Sequence, residues 1–138
     1  MNDYADQPLR MRLVLPSDER IIVRARLVYE TCDPFAAHIV FHPGSDHSVT
    51  RSLARDLLAQ GLSQPSGEGD VHIWPTGSGP DAELHLALYS PHGTARLTAP
   101  LPVVAQWLNR TYWLVPAGHE ADGFDVDAEL SQLLSGTG

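Results

Sequence analysis

The chain has no lysine, one cysteine and no long apolar run among its 138 residues. With Cys32 alone, no disulfide can close within the chain, which fits a reducing compartment. Cys32 also lies beside Asp33-Pro34 at the end of an apolar run, a structural setting rather than a nucleophilic one. Without lysine, all nine positive charges are arginine, which reads as the trace of a GC-rich coding sequence. No apolar run approaches the ~20 residues of a membrane span. The polar start Met1-Asn2-Asp3-Tyr4-Ala5-Asp6 has neither a basic nor an apolar leader region. The expectation is a soluble, cytoplasmic protein.

Motifs of chemistry are missing too. No nucleophile elbow of the G-x-S-x-G type occurs, and the one cysteine has no evident His-Asn partners. Gly67-Glu68-Gly69 and Gly77-Ser78-Gly79 lack the third glycine and the following helix start that a dinucleotide site needs, so both read as turns. Seven histidines invite a metal site, yet His38 and His42 fall on a strand, where ~3.3 Å per residue puts them ~13 Å apart. His72 and His85 have no supporting Cys-His or Glu spacing. Asp125 and Asp127 suit the start of a helix better than a paired-carboxylate site. No catalytic residue, cofactor or metal is expected.

What is present is a globular composition, 43% hydrophobic, with a net charge of −8. A chain of this length suits one domain, over residues 1–138, burying roughly two-thirds of its unfolded surface. The charge is uneven: residues 1–60 hold seven Arg against eight acids, and residues 61–138 two Arg against nine. An anionic partner would therefore have to meet the first half, and the acidic total opposes non-specific binding to nucleic acid.

Leu9, Met11, Leu13 and Leu15 alternate with Arg10, Arg12 and Val14, and Arg20 to Glu30 alternates again, the period of half-buried strands. The two should pair as a hairpin across Pro16-Ser17-Asp18-Glu19. Register decides whether Arg10, Arg12, Arg24 and Arg26 share a face, and a four-residue loop without a bulge would separate the two pairs. Phe35 to His42 reads as a third strand and Val49 to Arg51 as a short fourth. Ser52 suits a helix N-cap, Leu53, Ala54, Leu57 and Leu58 form an apolar stripe, and Gly61 suits a left-handed stop. On that helix Arg51 and Arg55 share a side, beside Asp56.

After a turn over Gln64 to Gly69, Val71 to Pro75, Leu84 to Tyr89 and Thr94 to Thr98 read as strands. Pro102 opens a second helix with Val103, Val104, Trp107 and Leu108 on its apolar side. Val126, Leu130, Leu133 and Leu134 carry a last helical stripe. Trp74 and Trp107 are expected in the core; Trp113, after Tyr112 at the end of the second helix, reads first as a core residue, with an exposed partner-surface aromatic as the other reading. Strand block, helix, strand block, helices: this order means α+β with antiparallel sheets.

The sequence resembles the SsgA-like proteins of sporulating actinomycetes along nearly its whole length. The resemblance is carried by Leu27-Val28-Tyr29-Glu30-Thr31, Asp33-Pro34-Phe35-Ala36-Ala37-His38 and Phe41-His42. It continues through Ala54-Arg55-Asp56-Leu57-Leu58-Ala59-Gln60-Gly61-Leu62, Pro65, Gly67 and Gly69-Asp70-Val71-His72-Ile73-Trp74-Pro75. Leu108-Asn109-Arg110-Thr111, Leu114-Val115-Pro116-Ala117-Gly118 and Phe124-Asp125-Val126-Asp127-Ala128-Glu129-Leu130 complete it.

The resemblance implies two antiparallel sheets flanked by helices, similar to Whirly and guide-RNA-binding proteins, one helix lying between the strand blocks and others at the C-terminus. It implies self-association, as a homo-oligomer with the trimer as expected state. It also implies a non-enzymatic role at the division septum in sporulation, with FtsZ or another SsgA-like protein as partner. Arg51 and Tyr112 depart from the family pattern, which has Trp and Asp there. The candidate partner surface is Arg51, Arg55, Asp56, Tyr112 and Trp113. The alternative is a single-stranded nucleic-acid-binding module built on the Whirly-like fold and the arginine cluster, with the acidic total against it.

Overall fold

The computed structural model describes residues 3–42 and 47–123. Within them eight strands form one antiparallel sheet: β1 (Tyr4–Val14), β2 (Arg20–Glu30), β3 (Ala36–His42), β4 (Val49–Ala54), β5 (Ser66–Glu68), β6 (Val71–Thr76), β7 (Glu83–Ser90) and β8 (Gly93–Pro100). Helix α1 (Arg55–Gly61) joins the two strand blocks and α2 (Leu101–Leu114) follows the second. The α+β class stands, but the two expected sheets are one. Their order β4-β3-β2-β1-β8-β7-β6-β5 is continuous, curled into a half-barrel, because Arg12, Leu13 and Val14 pair with Thr98, Leu97 and Arg96. The expected C-terminal helix over Val126–Leu134 lies outside the described residues.

Strand periodicity sorts the side chains. Leu9, Met11, Ala25, Leu27, Tyr29, Ala37, Ile39 and Leu53 point to the inner face, with Ile73, Leu84, Leu86, Leu97 and Ala99 from the second block. Leu57 and Leu58 of α1 and Val104, Trp107 and Leu108 of α2 close over them. Trp107 is fully buried as expected, and its indole N–H donates to the Ala5 carbonyl at 2.9 Å, which ties α2 to the start of β1. Trp74 departs from expectation: it faces outward, half-buried, stacked on His85 at 5.3 Å.

The hairpin register answers the question left open by periodicity. The loop between β1 and β2 has five residues, Leu15 to Glu19, with Asp18 in the left-handed region at φ 68. Val14 therefore faces Arg20 and Arg10 faces Arg24. Arg10, Arg12, Arg24 and Arg26 all lie on the outer face.

Gly61 does not stop α1 in a left-handed conformation. It ends the helix as a regular helical residue, and a Cβ there would collide with the Ile73 side chain of β6. The glycine lets α1 lie against the sheet. Gly61→Ala is expected to cost about 1–3 kcal/mol through overpacking, measured as a lowered urea midpoint with an unchanged slope.

Candidate functional site

Four of the five candidate residues fall around one corner, where β4 passes into α1 without a loop. The Arg55 amide donates to the Phe35 carbonyl at 2.8 Å, so the strand ladder itself sets where the Arg55 side chain starts. That side chain is 1% exposed. Its Nη1 donates to the carbonyls of Thr111 at 3.1 Å and Val115 at 2.8 Å, and its Nη2 to Glu120 Oε1 at 3.0 Å. The guanidinium carbon lies 4.1 Å from the Tyr112 ring centroid and 4.9 Å from that of Tyr29.

A cation over two ring faces, at the carbonyl end of a helix, gains from the ring quadrupoles and the helix dipole together. The carboxylate supplies the opposite charge that a buried guanidinium requires. Arg55 Nε has no partner among the described residues. Hydrogen bonds from Glu120's own backbone amide and from Arg55 hold the Glu120 carboxyl below the usual carboxylate range. Burial pushes the Tyr29 and Tyr112 phenols up, against the pull of Arg55.

Arg55 is therefore not a contact residue, contrary to the expectation from helical spacing. Nor does it share a helix side with Arg51. Arg51 lies on β4, its side chain toward the concave face with Leu13, Val23, Phe41 and Val49 around an open groove of about 480 Å³. Asp56 is exposed and accepts from the Tyr112 hydroxyl at 3.5 Å. Trp113 is 87% exposed, next to the exposed Leu114, and Phe35 is exposed on the segment that receives the Arg55 amide. The structure thus brings Arg55, Asp56 and Tyr112 together with Trp113 beside them, and leaves Arg51 apart.

Ser52 does not cap α1. The N-cap is Ala54, with no side-chain hydrogen bond. The Ser52 hydroxyl instead meets His38 Nδ1 at 2.7 Å, and His38 Nε2 lies 3.1 Å from Asp33 Oδ2. The set holds a hydroxyl, an imidazole and a carboxylate, but Asp33 is half exposed on the outer face. It pins β3 to β4 and to the Asp33-Pro34 turn. Sequence spacing concealed it because the three residues meet only through the β3–β4 register, His38 opposite Ser52.

Comparison with known proteins follows the same architecture. The family model described as Streptomyces sporulation and cell division protein, SsgA, matches residues 23–120. The chain belongs to the SsgA family. Its relatives include the sporulation-specific cell division protein SsgB of Streptomyces coelicolor, 44% identical over 135 residues and covering 98% of both chains. The crystal structure of an SsgA-like sporulation-specific cell division protein from Thermobifida fusca superposes with a TM-score of 0.85 at 39% identity, over 94% of this chain and 95% of that one. An SsgB structure, from work on mutations that correlate with longitudinal cell division during sporulation of S. coelicolor, superposes at 0.84 with 43% identity, over 90% and 98%. An SsgA-family fold, with a role in cell division, accounts for the strand and helix order. Among the described residues no helix is long and apolar enough to cross a membrane.

Two measurements probe the corner and the outer face. Arg55→Met leaves Glu120 and two helix-end carbonyls without their cation, and a loss on the order of 3 kcal/mol is expected in urea unfolding. The second concerns His85, whose imidazole burial pushes below its ordinary value, while Nε2 stays 2.9 Å from the Thr76 hydroxyl. A lowered folded value means that the unfolded chain takes up the proton first. The stability contributed by neutral His85 is then fully present above about pH 6.5 and is lost as pH falls below it. The thermal midpoint should drop between pH 7.5 and pH 5.5, and His85→Gln should reduce that drop.

Proposed function

We propose that the chain, acting as one unit over residues 1–138, is a non-enzymatic adaptor of sporulation-specific cell division. It works at the septum by binding a division protein, FtsZ or another SsgA-family member. The observation that carries this reading is the corner around Arg55: an aromatic side chain in solvent, Trp113, held on a rigid base.

Exposed tryptophans on ordered elements are the side chains that dominate binding hot spots, since they offer area at little entropic cost. Trp113 follows Tyr112 on α2, and Tyr112 is clamped between the Arg55 guanidinium and Asp56. Asp56, Trp113 and the edge of Tyr112 make the contact, while Arg55 positions them from below. Arg51, on the groove rim, belongs to the contact only if the partner reaches round to the concave face. Self-association, with the trimer as the expected state, extends the same reading and supplies several copies of the corner to one partner.

Purified full-length protein should co-sediment with polymerised FtsZ from the same organism. Trp113→Ala and Asp56→Arg should each weaken that binding by about tenfold or more, the scale of a central hot-spot residue, with unfolding midpoints unchanged. Intact binding by both variants would assign the contact to another surface.

A further inference from the structure

The outer face of the sheet carries a charge arrangement that the fold does not need. Arg10 and Arg24 stand directly opposite each other across β1 and β2, Arg12 is two residues along β1 on the same face, and His42 faces Arg24 from β3. Opposed Cα atoms lie ~4.5–5.5 Å apart and same-face neighbours ~6.6 Å apart along a strand. Three guanidinium-bearing positions therefore crowd into a patch about 10 Å across.

Like charges directly opposite on a sheet are destabilising, and this chain has acids in surplus to relieve them. It does so on either side. Arg26 pairs with Asp6 at 3.4 Å and Arg20 with Glu83 at 2.9 Å. Arg10, Arg12 and Arg24 have no such partner among the described residues. A cleft of about 300 Å³ runs beside them, lined by Arg10, Arg12 and Arg20 together with Pro80, Asp81 and Glu83.

We propose that this patch of Arg10, Arg12 and Arg24 docks a short carboxylate-rich segment of a partner protein. Guanidinium groups bind carboxylates through paired, charge-assisted hydrogen bonds, and three of them here wait for an anion. Length is what selects the partner. A nucleic acid strand carries its charge onward past the patch, where it meets Asp6, four residues along β1 from Arg10. A short acidic segment lying over Arg10 and Arg24 ends before Asp6, and in the cleft Glu83 is already neutralised by Arg20. Single-strand binding also needs free rings to stack on the bases. On this face Trp74 is already stacked on His85, His72 packs edge-on against Tyr89, and the exposed Tyr4 stands six residues from Arg10 along β1, roughly 20 Å away. The proposal is independent of the Trp113 corner.

The test uses the full chain and a labelled peptide of alternating glutamate and serine, with a glutamine-serine control and an oligothymidylate, followed by fluorescence anisotropy at low salt. The glutamate peptide should bind, lose affinity steeply as salt rises, and bind more tightly than either control. Arg24→Glu should weaken it about tenfold by replacing an attraction with a repulsion. It should do so without lowering the thermal midpoint, because an acid opposite Arg10 relieves the repulsion there. A purely structural role for Arg24 would lower the midpoint instead. Trp113→Ala should leave peptide binding unchanged, so that failure of the corner is told apart from failure of the patch. The proposal is overturned if the glutamate peptide does not bind, if Arg24→Glu binds it equally well, or if the oligothymidylate binds more tightly. Loss of peptide binding on self-association of the protein would overturn it as well, since a second copy would then occupy the patch.

Discussion

A single buried guanidinium organises the corner of this molecule. Taking Arg55 out of water is costly, and the cost is offset only because Glu120, two carbonyls from the end of α2 and two tyrosine rings converge on it. Those groups come from β2, α2 and the turn after α2, so each must be in place before the cation is satisfied. The demand runs both ways. The end of α2 needs a partner for its last carbonyls, and Arg55 supplies it from a position fixed by the β3–β4 ladder. A surface charge in that place would let α2 fray, whereas a buried one makes the helix end and Trp113 a rigid platform.

The rest of the fold follows from strand parity and from the curl of the sheet. The inner side chains are mostly apolar and the two helices cover most of them. Where the helices stop, the concave mouth stays open around Leu13, Val23, Phe41 and Val49, with Arg51 at its rim. The outer side carries six of the nine arginines: Arg10, Arg12, Arg20, Arg24, Arg26 and Arg96. An acidic protein thus presents one basic face, because most acids among the described residues lie in turns, on the helices or near strand ends. Net charge alone pointed away from anionic partners; the register restores the question for one surface.

Sequence patterns made the strands easy to find and their joins hard. Arg20–Glu30 is bounded correctly because its alternation is strict, and α2 because Pro102 and the stripe from Val103 to Leu108 agree. Arg55 was misplaced for a specific reason. Arg51 and Arg55 are four apart, which on one helix means neighbours, yet the helix begins at Arg55 and Arg51 obeys strand parity. No local signal marks a strand that runs straight into a helix. Ser66–Glu68 looked like pure turn because proline and glycine surround it, although it pairs with Val71–Ile73 as an edge strand. The merging of two strand blocks into one sheet rests on three pairs between residues more than eighty positions apart. Pairing of that kind depends on the finished curvature and leaves no trace in neighbouring residues.

The two proposed surfaces share one constraint, the register of β2. Tyr29 at its end points inward to the Arg55 guanidinium, while Arg24, five residues earlier and roughly 16 Å away along the strand, points outward to the patch. A slip of one residue would turn Tyr29 to solvent and Arg24 and Arg26 into the core, destroying both at once. The five-residue loop at Leu15–Glu19, with Asp18 in its left-handed conformation, prevents this by fixing which residue of β2 faces Val14. That turn is far from either surface, yet it decides that both exist. Lengthening or shortening it by one residue without a compensating bulge would act on the corner and the patch together. Substitutions at even-numbered positions of β2, by contrast, touch the outer face alone.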